Sequence, residues 1–187
     1  MSAAIRPENC GFHAESTRFR GGLAPLNRIG HKQIPAPISG LALMFRKIDE
    51  KTYASPQISI PEVAYAKALG IGLIVNNRPE GESDDQTPGA EIEAAARDAG
   101  IAYVAIPVTH AGFSMAQVEA MQKALAQAGD APVLAYCRSG TRSTLLWALA
   151  QAQAGANPDE IAEKAAGAGY DIAPIRATVD MLAAQAG

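Results

Sequence analysis

From Leu41 onward the apolar positions of the chain fall into two textures, short unbroken runs rich in β-branched residues and longer runs with helical spacing. IGLIV (71–75) is of the first kind and reads as a buried strand. PEVAYAKAL is of the second: Pro61 opens it and Gly70 follows its end, the usual placement of both residues around a helix. The same alternation predicts a helix from Ala90 to Ala99 closed by Gly100, a strand from Ile101 to Val108, and a helix from Met115 to Ala128. Ser114 and Gln117 stand in capping-box positions before that helix. APVLAYC is the next strand, with Cys137 at its carboxyl end, and TRSTLLWALAQAQAG reads as the helix that follows. Asn157-Pro158-Asp159-Glu160 has cap, first-turn proline and first-turn acids in the order of another helix start, and Pro174 starts a last helix through Ile175, Val179 and Leu182. Ahead of all these, LALMFRKI and KTYAS flank Asp49-Glu50 as two short strands on a tight turn. Strands alternating with helices predict an α/β fold of three layers, a mostly parallel sheet flanked by helices.

The first forty residues break this pattern. Prolines 7, 25, 35 and 37 alternate with glycines, and no period lasts. The segment carries five Lys or Arg against two acids, whereas positions 41–187 carry eleven against seventeen. It reads as a loosely ordered extension (1–40) on a domain spanning 41–187, with a basic targeting segment as the alternative. A chain of 187 residues, 48% hydrophobic and 19% charged, supports one globular core. The net charge of -3 argues against nucleic acid as a partner, and no apolar run reaches the roughly 20 residues that cross a bilayer. Without a secretory signal the expected location is cytoplasmic, where Cys10 and Cys137 are two free thiols rather than a bridge. The three histidines are too scattered for a metal site, and no cofactor is expected. Oligomeric state has no signature in the sequence.

The candidate chemistry lies in YCRSGTRST, 136–144, where the strand turns into the helix. In open α/β sheets ligands bind outside the carboxyl ends of strands. Backbone N–H groups from Arg138 through Ser139, Gly140, Thr141 and Arg142 to Ser143 would curl inward there, with Gly140 supplying the conformation that a side chain forbids. The following helix aims its positive end at the same point, so the concavity suits an anion. The same field favours the anionic form of the Cys137 sulfur, making it a nucleophile. Arg142 would clamp the anion with paired N–H bonds, Ser143 would donate its hydroxyl to the sulfur, and Arg138 would either join them or face solvent. Asn76, Asn77 and Arg78, at the end of a neighbouring strand, would line the same cleft, with Arg78 reaching the anion or pairing with Glu80 or Glu82. Trp147 is a core residue, and Cys10 would resolve a persulfide only if the extension folded over the site.

CRSGTR resembles the active-site loop of rhodanese sulfurtransferases, in which four residues separate the cysteine from the arginine. It also resembles the signature of protein tyrosine phosphatases, whose spacing is one residue longer. The wider context, IGLIVNNRPEGE, AYVAIPV and PVLAYCRSGTRS with the helices between them, is similar to the beta-lactamase-hydrolase-like phosphatase-like domain family over about Met44 to Ala154. That resemblance implies a tyrosine-phosphatase-like fold, occurring alone or fused to sulfur-oxidising dioxygenases. It leaves two chemistries in play, phosphomonoester hydrolysis and transfer of sulfane sulfur.

Two features bear on the choice. Related phosphatases take their general acid from an aspartate on a loop about thirty residues before the cysteine, but the corresponding PVTHAGFS contains none. His110 is the only titratable residue there, and Glu80, Glu82, Asp84 and Asp85 would either supply an acid from the other loop or form a solvated charge run. A persulfide is also a smaller guest than a phosphoryl group, which suits a shorter loop, and sulfite or a thiolate leaves without an acid. The sequence alone therefore ranks sulfane-sulfur transfer through a Cys137 persulfide first and hydrolysis through a phosphocysteine as the alternative. The ligand would be a small sulfur-containing or phosphorylated anion in either case. A non-catalytic anion-binding or redox-sensing module is the third reading.

Overall fold

The computed structural model describes residues 44–187, so the readings of the extension and of Cys10 lie outside the described residues. Among these, five strands, β1 (Arg46–Lys47), β2 (Thr52–Ser55), β3 (Leu73–Asn76), β4 (Ala102–Ala105) and β5 (Val133–Tyr136), form one sheet in the order β1-β2-β5-β3-β4. β1 runs antiparallel to β2, and every other neighbouring pair is parallel. Six helices connect and cover the strands: α1 (Ile60–Ala68), α2 (Gly89–Asp98), α3 (Met115–Ala128), α4 (Thr141–Gln153), α5 (Pro158–Gly167) and α6 (Arg176–Ala186).

Strand periodicity sorts the core into two faces. Leu73 and Val75 of β3, with Val133 and Ala135 of β5, pack with Met121, Trp147, Ile161 and Val179 on the side of α3 to α6. Ile74, Leu134 and Tyr136 point the other way, toward Val63 of α1 and Ile92 of α2. Central parallel strands buried on both sides need continuous apolar sequence, and β3 and β5 have no exposed residue. α4 is likewise buried on nearly its whole circumference, Ser143 through Ala150 among its buried residues, which explains its lack of amphipathic pattern.

The helix starts follow the local chemistry. Ser114 accepts from Gln117 N–H at 3.3 Å while the Gln117 side chain accepts from Ser114 N–H at 2.8 Å. Asn157 accepts from the N–H groups of Asp159 and Glu160 ahead of α5. Strands are shorter than the sequence predicts. The run expected over 101–108 forms ladder only at Ala102–Ala105, stopping short of Pro107. Ile106 and Val108 on either side of it still donate to the carbonyls of Asn76 and Asn77, at 2.8 and 3.0 Å. At the start of the sheet only Arg46–Lys47 of LALMFRKI pairs with β2, and Leu41 to Leu43 lie outside the described residues. Pro174 sits in a single 3-10 turn, Ala173–Ile175, that leads into α6 rather than opening it.

Candidate active site

Cys137 directly follows β5 in the middle of the sheet, with β2 and β3 on either side, and its N–H donates to Ser55 O on β2 at 3.3 Å. The chain then reverses through Arg138 and Ser139 into α4. Gly140 makes this possible: its φ of 87° is left-handed, a region that other residues enter at a cost. In that conformation its N–H returns to the Cys137 sulfur at 3.1 Å. Thr144 makes the first helical bond, N–H to Gly140 O at 3.0 Å, and its hydroxyl donates to the same carbonyl, also at 3.0 Å. The N–H groups of Thr141, Arg142 and Ser143 precede that bond, so they form the positive end of α4 beside the sulfur.

Arg142 is held from two sides. Its Nη1 donates to Val108 O at 2.7 Å, and Nη1 and Nη2 each meet one carboxylate oxygen of Glu82 at 2.8 Å. A guanidinium has five N–H groups, and these contacts engage the far edge of the fork. The Nε–H and one Nη2–H have no oxygen partner among the described residues; the guanidinium also approaches the Cys137 sulfur, and these are the paired donors an oxyanion takes. Burial opposes the charge on Arg142, but the Glu82 hydrogen bonds and the neighbouring Cys137 sulfur outweigh it and push its pKa up.

Glu82 also joins a second arginine. Arg78, buried at the end of β3, donates from Nε to Glu82 at 2.9 Å, from Nη1 to Gln57 at 2.8 Å, and from Nη2 to the Ser83 hydroxyl at 2.5 Å. The Arg142 hydrogen bonds hold the Glu82 carboxyl below its ordinary range, against burial that pushes it up, and Arg78 adds to the lowering. Gln57 in turn donates its N–H to Arg138 O at 3.4 Å, tying the end of β2 to the active loop.

The sequence readings meet this geometry unevenly. Cys137 is buried at the base of the loop with the Gly140 N–H on its sulfur, and Arg142 stands at the start of α4 with its fork held by Glu82 and Val108. Arg138, Ser139 and Thr141 expose their side chains, and the Ser139 and Thr141 hydroxyls lie 3.1 Å apart. The bond read from Ser143 to the sulfur is not formed: its hydroxyl is buried without a partner among the described residues, and the Gly140 N–H holds the sulfur instead. The difference follows from position, because Ser143 lies within α4 and the left-handed Gly140 turns back toward the strand. Arg78 pairs with Glu82, one of the two outcomes left open. Asn77 is buried and spends its amide on Ile106 O at 2.9 Å, so it joins two strand ends. His110 is exposed in the turn before α3. Glu82 is neither a solvated charge nor a free acid, since two guanidiniums enclose it. Gln57 and Tyr170, whose contact is described below, carry no signal in the sequence. Neither belongs to a motif with a chemical role, so only the fold reveals them.

A cysteine ending the central strand of a parallel sheet, wrapped by a short loop and faced by an anchored arginine, defines a domain of the tyrosine-phosphatase-like class. The chain belongs to the family described as the phosphatase-like domain of beta-lactamase hydrolase-like proteins, whose model matches residues 44–154. The beta-lactamase hydrolase-like protein of Xylella fastidiosa (strain Temecula1) is 39% identical over 105 residues, which are 56% of this chain and 24% of that protein. The chain thus spans about a quarter of the length of that relative. Among solved structures, the nma1982 protein of Neisseria meningitidis Z2491 is 35% identical with a TM-score of 0.65, covering 75% of this chain and 98% of that one. Pseudomonas aeruginosa TpbA, solved in complex with pTyr, shares the fold at 19% identity and a TM-score of 0.55, over 78% of this chain and 91% of that one. No described helix is long and apolar enough to cross a membrane.

Proposed function

We propose that this chain is a cysteine-dependent phosphatase that hydrolyses phosphomonoesters through a phosphocysteine on Cys137. One arrangement carries the reading: the sulfur under the Gly140 N–H at 3.1 Å, beside an Arg142 whose outer edge is fixed by Glu82 and Val108. The thiolate attacks phosphorus, the S–P bond forms and the ester P–O bond breaks. Charge on the equatorial oxygens is met by the N–H groups of 138–143 and the free edge of Arg142. Water then attacks phosphorus, the S–P bond breaks, and inorganic phosphate leaves with the thiolate restored. The family and the fold support hydrolysis over sulfur transfer, reversing the order that loop length suggests.

The acid question narrows the substrate. Glu82 is held as a carboxylate by two arginines, and Glu80 is engaged at the start of α2, its two oxygens 3.1 and 3.2 Å from Gly89 N. Asp85 accepts from Ser83, and that bond holds its carboxyl below the usual range. With these three carboxyls engaged, esters whose leaving oxygen departs as an anion are favoured, so the preferred substrates are aryl phosphates, the class of the pTyr that TpbA holds. The test is a series of phosphate monoesters of graded leaving-group acidity. The reading predicts turnover of p-nitrophenyl phosphate that Cys137→Ser abolishes, with rates falling steeply toward alkyl phosphates. Equal rates for aryl and alkyl esters would overturn the assignment of substrate. No hydrolysis of any ester, together with sulfur transfer from thiosulfate to cyanide, would return the second reading that the shorter loop favours.

A further inference from the structure

Beyond the family match at 44–154, the segment joining α5 to α6 reaches back to the active loop. Tyr170 is 7% exposed, and its hydroxyl donates to Ser139 O at 3.4 Å. That carbonyl belongs to the peptide unit whose other end is the Gly140 N–H, the group lying 3.1 Å from the Cys137 sulfur. Hydroxyl, peptide and sulfur therefore form one hydrogen-bonded chain, and hydrogen bonds in series polarise and orient one another. The approach is close enough that a Cβ on Gly140 would collide with the Tyr170 hydroxyl oxygen. Glycine there is required by the tyrosine as well as by its own φ. The guanidinium of Arg46 lies over the Tyr170 ring, 5.2 Å from its centroid.

We propose that Tyr170 is a positioning residue, whose hydroxyl holds the Ser139–Gly140 peptide with its N–H directed at the Cys137 sulfur. The peptide preceding a glycine rotates easily, because glycine tolerates both orientations. Once the hydroxyl is removed, the N–H is free to turn from the sulfur, and the sulfur loses a donor that favours its charged form. Burial raises the pKa of the Tyr170 hydroxyl, so the group is a proton donor throughout the neutral range. The other charged groups around this chain of bonds are Arg142 with its Glu82 partner, Arg46 on the ring, and Arg138 next to Cys137 in the loop, none of which Tyr170→Phe removes.

The inference rests on Cys137 as the nucleophile, but its test reads the sulfur and not the substrate. Iodoacetamide alkylation of Cys137 is followed by intact mass against pH in the full chain and in Tyr170→Phe, with thermal unfolding measured alongside. Cys137 is buried, so the absolute rate includes loop opening. The pH midpoint does not, and it is the quantity compared. The midpoint moves up by roughly 0.5 to 1 pH unit in Tyr170→Phe, a three- to tenfold loss of reactivity below it, while the unfolding temperature shifts by no more than about 2 °C. An unchanged midpoint overturns the proposal even if the chain hydrolyses phosphate esters. A shifted midpoint upholds it even if no ester is turned over. Should Tyr170→Phe fail to fold, 3-fluorotyrosine in place of Tyr170 supplies a stronger donor of nearly the same size. The midpoint then moves down in pH, and a midpoint that stays or rises overturns the proposal.

Discussion

Glu82 connects the stability of the site to its chemistry. It is a single carboxylate shared by a buried Arg78 and a largely enclosed Arg142. Removing it leaves two guanidiniums without their counter-charge, and breaking a buried pair from one side costs more than the pair itself contributes. Glu82→Gln is therefore expected to destabilise the fold by about 3 kcal/mol at neutral pH and to lower kcat/KM for an aryl phosphate about tenfold, as Arg142 loses its fixed orientation. The pH dependence has a definite sign. The folded-state carboxyl is held below its ordinary 4.5, so its stabilisation is fully present above that value and is lost as pH falls through the lower, folded-state one. The stability gap between the parent chain and Glu82→Gln, measured by urea unfolding at a series of pH values, should be constant near neutrality and close only in acid below about 4.5. A gap unchanged at the acid end would show that the carboxylate form is not what matters.

At the scale of elements, the strand-loop-helix unit from Val133 to Gln153 is legible in the sequence because its signals are local. A continuous apolar run, a glycine at the turn and an arginine at the helix start each act within a few residues. Ser114 with Gln117 and Asn157 with Pro158 mark two further helix starts for the same reason. What stays hidden is non-local. Gln57 lies 21 residues before its partner Arg78, Glu82 lies 60 before Arg142, and Tyr170 lies 31 after Ser139. Gln57 and Tyr170 carry no chemical signal of their own, and Glu82, legible as a partner for Arg78, reads as part of a solvated run until α4 is seen to bring Arg142 to it. The loop's own constraint is open to test. Gly140→Ala imposes a left-handed φ on alanine and pushes a methyl group against Tyr170. The expected cost is about 2 kcal/mol by denaturant unfolding, together with loss of turnover. Alanine tolerated at no cost would mean that the loop does not hold this conformation.

For the whole molecule, the sheet order places β5 between β2 and β3, so the strand carrying Cys137 is reached from both neighbours. β2 supplies Ser55 and, just beyond it, Gln57, and β3 leads into Arg78 and Glu82. The segment after β4 supplies Val108, and the C-terminal helices bring Tyr170. Each element near the loop holds one part of it, and together they enclose the bend around the sulfur. That convergence is predictable only as far as the α/β pattern implies strand ends on one edge. The choice of cargo is not, since loop length points to sulfur whereas the family and the fold support phosphate. The direct measurement is intact mass of the full chain, acid-quenched during turnover of an aryl phosphate and, separately, after incubation with thiosulfate. Gain of one phosphoryl group on Cys137 in the first, absent in Cys137→Ser, is the predicted result. Gain of a sulfur atom from thiosulfate with no phosphoryl adduct from any aryl ester would contradict it.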